Sequence, residues 1–449
     1  MAIGNQKRRV IFFIILVCGL IILAGFIYLK WYSFPKPNVL IIISDALRRD
    51  HLGCYGYSRD TSPDIDLFAK NAVLYKNAFA QAPSTKPSVA SIFTSQYPSQ
   101  HQAIYNNQAL DTEYRTLAEV LKDNDYITAG FTENPQIARR FHYDQGFDTW
   151  ELDDRRHGIT SEPMDDFDRK IFAWLDAHCQ DTFFLYIHYI DPHIPYQPPE
   201  PFCGFFDDDY TGEITGDYND VQKLIARRNR RDLEHVIALY DEEIRYINSR
   251  MKKLIKKLKQ LKIWKDTIII FTADHGEAFF DHGAFFTHSN SVYAEEINIP
   301  FILHYPRMFR RGTEERYIQH IDIFPTVLHM LKIDSAALSL EGNNFLSKPD
   351  RDIEVIAEHL RERKRPQRGL ISKGWKLIKR IDKDMISLYD IEQDPTDSEN
   401  VADEHPDIAG RLESRLSGWL DYLKDIKTPT QVELDDEMID KLKSLGYLQ

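Results

Sequence analysis

The sequence predicts an α/β fold in which a mostly parallel central sheet lies between layers of helices. Three short apolar runs, at 39–43, 183–187 and 267–271, are each closed by polar residues and separated by helical stretches. Such uninterrupted runs are typical of parallel strands that are buried on both faces. In α/β sheets the functional residues follow the carboxyl ends of the strands. We therefore expect the polar residues after these runs to meet at one edge of the sheet.

The predicted helices include 116–124 and 232–265. The longer one has apolar residues at helical spacing, namely Met251, Leu254, Ile255, Leu258 and Leu261. Its opposite face carries lysines, which predict a solvated outer face, with contact to an anionic membrane surface as the alternative. Beyond residue 331 the segments become shorter, with a basic loop at 361–368 and a strand-like piece at 374–378. This change predicts a smaller C-terminal α+β subdomain over 332–449.

The N-terminal residues predict a membrane anchor. A basic cluster at 7–9 precedes an apolar run from Val10 to Leu29, and about 20 apolar residues suffice to span a bilayer. The alternatives are a cleaved signal peptide, whose apolar core usually has about 7–15 residues, and a lipoprotein signal that ends at Cys18. The positive-inside rule keeps the basic end in the cytoplasm and places the catalytic domain in the periplasm or outside the cell. The predicted order is a cytoplasmic segment at 1–9, a single transmembrane helix at 10–29, a linker at 30–37 and a catalytic domain at 38–331.

The remainder of the chain is acidic. The whole chain has 449 residues and a formal net charge of −13, and without the three cations at 7–9 the charge is −16. Nucleic acid is therefore not an expected partner, and an anionic substrate would need local positive charge such as a metal ion. The four cysteines, Cys18, Cys54, Cys179 and Cys203, have no metal-finger spacing. At most one disulfide can form within the exported part.

Polar residues after two of the apolar runs have the chemistry of metal ligands. Asp45 follows the first run, and Asp274 and His275 follow the third. Carboxylate oxygens and imidazole nitrogens suit calcium, manganese or zinc, so we expect one divalent metal ion here. The alternative is that the aspartates only cap the helices that follow them.

A hydroxyl group precedes a third predicted helix, at 89–95. Ser84 and Thr85 stand before Pro87, which is tolerated in the first turn of a helix, so either residue could simply be an N-cap. The same position offers backbone N–H groups and the positive helix end to an anion. A hydroxyl in contact with a divalent ion can also become an alkoxide nucleophile at neutral pH. Thr85 is therefore a candidate nucleophile.

These residues belong to longer segments that resemble the sulfatase-like branch of the alkaline phosphatase superfamily. The resembling segments are 38–57, 87–101, 191–196, 272–277, 388–400 and 445–448. They occur in order, and the resemblance covers 37–449. It implies an alkaline phosphatase-like fold and a metal-dependent hydrolase or transferase of phosphoric or sulfuric esters.

The resemblance also implies roles for particular residues. The residues that would bind one ion are Asp45, Thr85, Asp274 and His275. His193 would bind the ester oxygens or assist the leaving group, and His288 would supply a second imidazole; a structural role is the alternative for each. Asn134 and Lys86 are the candidate substrate-binding residues, with a role in a loop turn as the alternative for Asn134.

Two departures from the sulfatase pattern affect the expected mechanism. Sulfatases convert Cys or Ser to formylglycine in a motif whose fifth residue is Arg, whereas this chain has Thr85 first and Val89 fifth. The family often has two adjacent aspartates at the first metal position, but here Ala46 follows Asp45. Threonine cannot yield formylglycine, so this position resembles the threonine-nucleophile members, such as the phosphoethanolamine and phosphoglycerol transferases.

The sequence therefore predicts a membrane-anchored, metal-dependent hydrolase or transferase that acts on phosphate mono- or diesters through Thr85. Its substrate would be an anionic ester on a lipid head group or a glycan, and its other partner the membrane bilayer. Two alternatives stay open. One is a sulfuric ester hydrolase that works without formylglycine, and the other is a non-catalytic binding protein with the same fold.

Overall fold

The computed structural model describes residues 19, 36–153, 166–283, 286–347, 353–361, 365–423 and 428–447. The predicted cytoplasmic segment, and the transmembrane helix apart from Gly19, lie outside the described residues. Within the described ranges, no helix is both long and apolar enough to span a membrane. The chain divides into two units, Met1–Pro37 and Asn38–Gln449, and the fold and the candidate site belong to the second.

The strands begin with β1 (Asn38–Ser44), β2 (Val73–Phe79), β3 (Gln108–Ala109), β4 (Ile127–Thr132), β5 (Thr149–Leu152), β6 (Phe183–Tyr189), β7 (Thr267–Ala273) and β8 (Ala278–Phe279). They continue with β9 (Phe286–Thr287), β10 (Asn298–His304), β11 (Gly312–Gln319), β12 (Val355–His359), β13 (Gln367–Ser372), β14 (Trp375–Arg380), β15 (Met385–Asp390) and β16 (Thr430–Gln431).

The α-helices of the described ranges are α1 (Pro63–Ala69), α2 (Thr85–Thr94), α3 (Pro98–His101), α4 (Leu117–Lys122), α5 (Asp166–His178), α6 (Tyr218–Arg227), α7 (Arg230–Gln260), α8 (Ala294–Ile297), α9 (Ile323–Leu331), α10 (Pro406–Tyr422) and α11 (Asp436–Ser444).

The central sheet has eight strands among the described residues, in the order β11-β2-β10-β7-β1-β6-β4-β5. The strands from β7 to β5 in this order are all parallel, whereas β10 is antiparallel to both β7 and β2. Every residue of β1, β6 and β7 is buried, since helices cover both faces of the sheet. The predicted fold class, a mostly parallel sheet between helices, is confirmed.

The C-terminal part forms a separate, smaller antiparallel sheet, in the order β12-β13-β14-β15. Helix α10 packs on it, and Leu412 and Leu416 join Leu377 and Leu388 in one apolar cluster. This confirms the predicted smaller α+β subdomain. The exact domain boundaries stay a prediction.

The predicted elements agree with the structure in type and differ at their ends. Thr116 caps α4, because its hydroxyl accepts a hydrogen bond from the Glu119 N–H while the Glu119 carboxylate accepts one from the Thr116 N–H. Helix α7 ends at Gln260 rather than 265, since Lys262 adopts a positive φ of 63°. Helix α2 begins at Thr85, four residues before the predicted start, because Pro87 fits into its first turn.

Candidate active site

The sheet topology brings the predicted polar residues to one edge. Ser44 of β1 pairs with Ala273 of β7, so the next residues, Asp45 and Asp274, leave the sheet side by side. Neighbouring β6 carries His188, and the turn after that strand carries His193. This edge is the carboxyl end of the parallel strands, where α/β proteins carry their functional groups.

Asp45, Asp274 and His275 form the candidate metal centre. One ligand atom from each lies within 4.8 Å of the others, and all three side chains are buried. The Nε2 atom of His275 is 3.5 Å from Oδ1 of Asp45 and 3.5 Å from Oδ2 of Asp274. Its Nδ1 atom is 2.8 Å from the Gly276 carbonyl oxygen, so Nδ1 carries the proton and Nε2 offers a lone pair.

The residues of this centre fit a divalent cation. Oδ1 of Asp45 and Oδ2 of Asp274 are buried and accept no hydrogen bond from any described residue. Buried carboxylate oxygens without partners are strongly disfavoured unless a cation compensates them. Burial and the neighbouring Asp45 raise the pKa of Asp274. Burial also raises the pKa of Asp45, but the neighbouring histidines, His193 first among them, outweigh this effect and hold the pKa of Asp45 below its usual value. A cation between the two carboxylates would stabilise both in the charged form.

Thr85, the first residue of α2, points its hydroxyl into this centre. Its Oγ1 atom donates to Oδ2 of Asp45 at 3.3 Å and lies 3.4 Å from Nε2 of His275. The Thr85 side chain is fully buried, and the first N–H groups of α2 donate no bond to the side chain of the N-cap residue Ser84, although the Lys86 N–H donates to Oε1 of Gln136 at 3.3 Å. The four predicted ion-binding residues are therefore adjacent.

Asn134, after β4, also reaches the centre. Its Nδ2 atom donates to Oδ2 of Asp45 at 2.6 Å and lies 3.3 Å from Oγ1 of Thr85. The amide orientation is set by the Gln136 N–H, which donates to Oδ1 at 2.8 Å. This last bond is the loop-turn contact that was expected as the alternative role of Asn134. Its role in substrate binding stays a prediction.

His193 and His288 complete one side of the centre. The ring centroids of His193 and His288 are 4.6 Å apart, and that of His288 lies 4.5 Å from that of His275. Nδ1 of His288 is 3.2 Å from Oε1 of Glu277, a fully buried carboxylate that also accepts the Tyr196 hydroxyl at 3.0 Å. Glu277 thus orients the His288 ring.

Lys86 follows Thr85 but sends its amine in another direction. Nζ donates to the carbonyl oxygens of Asn106 at 3.0 Å and Gln108 at 2.8 Å, and it lies 3.2 Å from the ring centroid of Phe141. Burial, with the charge of Arg361 nearby, lowers the pKa of Lys86 well below its usual value. The structure therefore gives Lys86 backbone partners, and its role in substrate binding stays a prediction.

Two site residues were given no role in the sequence analysis. His188 lies within β6, and its Nε2 atom is 3.0 Å from Oδ2 of Asp45. Tyr447 comes from the turn after α11, and its hydroxyl is 2.8 Å from Nδ2 of Asn134 and 3.5 Å from Oγ1 of Thr85. Burial raises the pKa of Tyr447 well above its usual value, so this phenol is neutral. The histidine in the buried run 183–189 was a signal for the first, because a polar residue inside such a strand needs a partner.

Comparison with known proteins gives a family. The model described as Sulfatase matches residues 37–333, and the model described as N-sulphoglucosamine sulphohydrolase, C-terminal, matches residues 281–421. An ulvan-active sulfatase from Formosa agariphila is 25% identical over 348 residues, which are 71% of this chain and 66% of that protein.

Solved structures agree in fold. One is a protein in complex with its substrate D-glucosamine-2-N,6-O-disulfate, with a TM-score of 0.74, 18% identity and coverage of 87% of this chain and 99% of that one. Another is the phosphonate monoester hydrolase of Agrobacterium radiobacter, with a TM-score of 0.69, 18% identity and coverage of 90% and 99%. Because the sulfatase model matches well over half of its residues, the chain belongs to the sulfatase family, whose members are metal-dependent ester hydrolases with an alkaline phosphatase-like fold.

Proposed function

We propose that this protein is a metal-dependent hydrolase or transferase that cleaves phosphate mono- or diesters with Thr85 as its nucleophile. The observation that carries the proposal is the position of the Thr85 hydroxyl, 3.3 Å from Asp45 and 3.4 Å from His275, at the first residue of α2. A hydroxyl between candidate metal ligands and a helix N-terminus is where an anionic ester would be attacked.

Asp45, Asp274, His275 and the Thr85 hydroxyl would hold the divalent ion. When bound, that ion supplies positive charge that polarises the ester and lowers the pKa of the Thr85 hydroxyl. Thr85 reacts as its alkoxide, having released its proton to solvent. The Oγ–P bond forms while the bond from phosphorus to the leaving oxygen breaks.

The histidines on the other side of the centre serve the leaving group. His193 and His288 lie together beside the centre, with ring centroids 4.6 Å apart, and either imidazole would give a proton to the departing oxygen. Glu277 holds His288 in orientation through the 3.2 Å contact to Nδ1. In the second half of the reaction, water or an acceptor alcohol gives its proton to the histidine that protonated the leaving group and attacks phosphorus, and the Oγ–P bond of Thr85 breaks with its electron pair on Oγ1. The enzyme is thereby regenerated.

The second candidate function is hydrolysis of sulfate esters. It is favoured by the relatives, since an ulvan-active sulfatase and a protein that takes a disulfated glucosamine are both similar to this chain. Sulfate transfer to an ordinary threonine would leave a sulfated residue that is hard to clear, which is why phosphate esters are preferred here. In either case we propose an anionic ester carried on a glycan or a lipid head group.

Intact-mass measurement with matched phosphate and sulfate esters tests this function. We expect a phosphate adduct on the peptide that contains Thr85, and a loss of turnover by several orders of magnitude in Thr85→Ala. Thr85→Ser should retain part of the activity. Thr94→Ala is the control, because Thr94 lies in the same helix and bonds only the Ala90 carbonyl among its described contacts. Near-normal turnover of Thr85→Ala, or much faster cleavage of sulfate esters, would contradict the phosphate route.

We also propose that residues 10–29 anchor the protein in a membrane, with the catalytic domain on the outer side. The support is the apolar run with its preceding basic cluster. Protease added to intact cells should then digest the catalytic domain while a cytoplasmic marker survives. Protection of the domain in intact cells, with digestion after lysis, would contradict this orientation.

A further inference from the structure

The turn after α11 delivers a phenol to the candidate active site. The Tyr447 N–H bonds the Leu442 carbonyl oxygen at 2.8 Å, and the Asn106 side chain donates to the Tyr447 carbonyl oxygen at 2.7 Å. Gly446 makes the turn with a φ of +76°, and a Cβ atom at this position would come within 2.4 Å of the Tyr218 ring. The backbone of Tyr447 is therefore held on both sides, and its side chain has a defined direction.

The ring and hydroxyl of Tyr447 contact the residues that would carry the reaction. Its ring centroid is 5.0 Å from that of His193 and 6.1 Å from that of His288. Its hydroxyl lies 2.8 Å from Nδ2 of Asn134 and 3.5 Å from Oγ1 of Thr85. The phenol thus lies among Thr85, Asn134 and the two histidine rings of the centre.

The direction of the hydrogen bonds assigns the phenolic proton. The Asn134 amide nitrogen can only donate, so the Tyr447 oxygen accepts that bond. The phenol keeps one O–H to donate, and among the described residues Oγ1 of Thr85 is the acceptor within reach, at 3.5 Å. A contact of this length is weak in the resting protein, and it would strengthen when negative charge develops on Oγ1.

We propose that Tyr447 is a catalytic residue that donates a hydrogen bond to Oγ1 of Thr85 when this oxygen leaves phosphorus. This inference rests on the proposed function, in which Thr85 carries the transferred group. In the second half-reaction the acceptor, which is water or an alcohol, gives its proton to the histidine that protonated the leaving group. The bond from the acceptor oxygen to phosphorus forms, the Oγ–P bond breaks, and its electron pair passes to Oγ1. Tyr447 stabilises that charge without giving up its proton, and Oγ1 is reprotonated from solvent. A donor placed for developing charge is typically worth about 10²–10³-fold in rate.

The test is Tyr447→Phe, which keeps the ring against His193 and His288 and removes only the hydroxyl. Quenched-flow mass spectrometry with a phosphate ester gives the rates at which the Thr85 adduct forms and decays. We expect decay to slow about 100-fold and formation to change by less than about tenfold, so the adduct accumulates. Metal content and thermal midpoint should match those of the parent protein.

Tyr55→Phe is the matched control. The Tyr55 hydroxyl donates to the Tyr75 carbonyl oxygen at 2.8 Å and accepts the Phe301 N–H at 2.8 Å, away from the centre. This variant should lose stability and keep the parent rates. An adduct in Tyr447→Phe that decays within threefold of the parent rate, or faster, would overturn the catalytic role of Tyr447. If neither protein forms an adduct and Thr85→Ala turns over normally, the Thr85 route itself fails, which is a separate result.

Discussion

Arg250 is the residue on which two loops of the candidate site depend. It lies in α7 and is fully buried. Its guanidinium contacts both carboxylate oxygens of Glu133 at 3.0 and 3.1 Å, Asp168 at 3.2 Å and Asp191 at 3.4 Å. Glu133 immediately precedes Asn134, and Asp191 stands two residues before His193. Arg250 therefore connects the loop that carries Asn134 with the loop that carries His193.

Arg250→Met leaves three buried carboxylates without their shared cation. Removing one partner of a buried ion pair typically destabilises a protein by about 3–5 kcal/mol, because the other charge stays buried and uncompensated. Methionine fills much of the space of the arginine stem, so little of this loss comes from a cavity. Since both loops lose their anchor, we expect kcat for the ester to fall together with the free energy of unfolding.

Urea denaturation and steady-state kinetics measure the two effects on the same preparation. Arg245→Met is the control, because Arg245 lies in the same helix and pairs with Asp60, whose side chain is 67% exposed. Such a surface pair is worth about 0–1 kcal/mol. A loss of less than about 1 kcal/mol in Arg250→Met would refute the assignment of this cluster as a support of the site.

Two further predictions concern the metal and pH. Asp274→Ala and Asp45→Ala should each lose the bound divalent ion and the activity but stay folded. Elemental analysis measures the metal content, circular dichroism measures the folding, and Asp382→Ala at an exposed site is the control. The same metal content in the site variants as in the control would exclude this centre. Burial lowers the pKa of His101 to about 3, so its unfolded form takes up a proton below about pH 6.5 while the folded form does not. The contribution of His101 to the free energy of unfolding is therefore complete above that pH and decreases on acidification, by about 2 kcal/mol at pH 5. Urea titrations of the parent and His101→Gln at pH 7 and pH 5 measure the effect. Between these pH values the free energy of unfolding of the variant should fall by correspondingly less than that of the parent, and equal decreases would contradict the effect.

The fold class followed from the sequence because its strongest signal was local. Each of the three apolar runs became a central parallel strand, since a strand covered on both faces must be apolar at every position. The strands at the edge of the sheet had no such signal. In β11, Gly312–Gln319, most residues are exposed or half-buried, so neither a continuous apolar run nor strict alternation is present.

The site residues that were predicted follow strands or belong to a motif. The residues that were missed reach the site from distant segments of the chain. Asp45 and Asp274 are adjacent because β1 and β7 are neighbours in the sheet, which the parallel pattern indicates. Tyr447 reaches Thr85 across 362 positions of sequence, and no periodicity predicts such a contact. Lys86 was predicted to bind substrate, and its amine donates to the carbonyl oxygens of Asn106 and Gln108, so that role stays a prediction.

The departures at positions 46 and 89 have clear structural consequences. Val89 is fully buried in the main apolar core, so the position that holds arginine in formylglycine-bearing relatives contributes to packing here. Ala46 adopts a φ of 56°, and its N–H donates to Oδ1 of Asp274 at 3.2 Å, so its backbone supports the centre without adding a carboxylate. Asn134 turns its amide nitrogen toward Asp45 and Thr85, so in this orientation it adds no oxygen ligand in place of that carboxylate.

The donors that remain are two carboxylates, one imidazole and one hydroxyl. Calcium takes about 6–8 oxygen ligands, whereas zinc is satisfied by about four nitrogen and oxygen donors. Calcium, manganese and zinc therefore all stay predictions for the ion at Asp45, Thr85, Asp274 and His275, and calcium would need more of its ligands from water or substrate than zinc would. A four-donor site also leaves less negative charge around Thr85 than a site with an additional aspartate. The ion would keep more of its positive charge for the substrate and for the threonine oxygen, which an ordinary hydroxyl needs more than a formylglycine does.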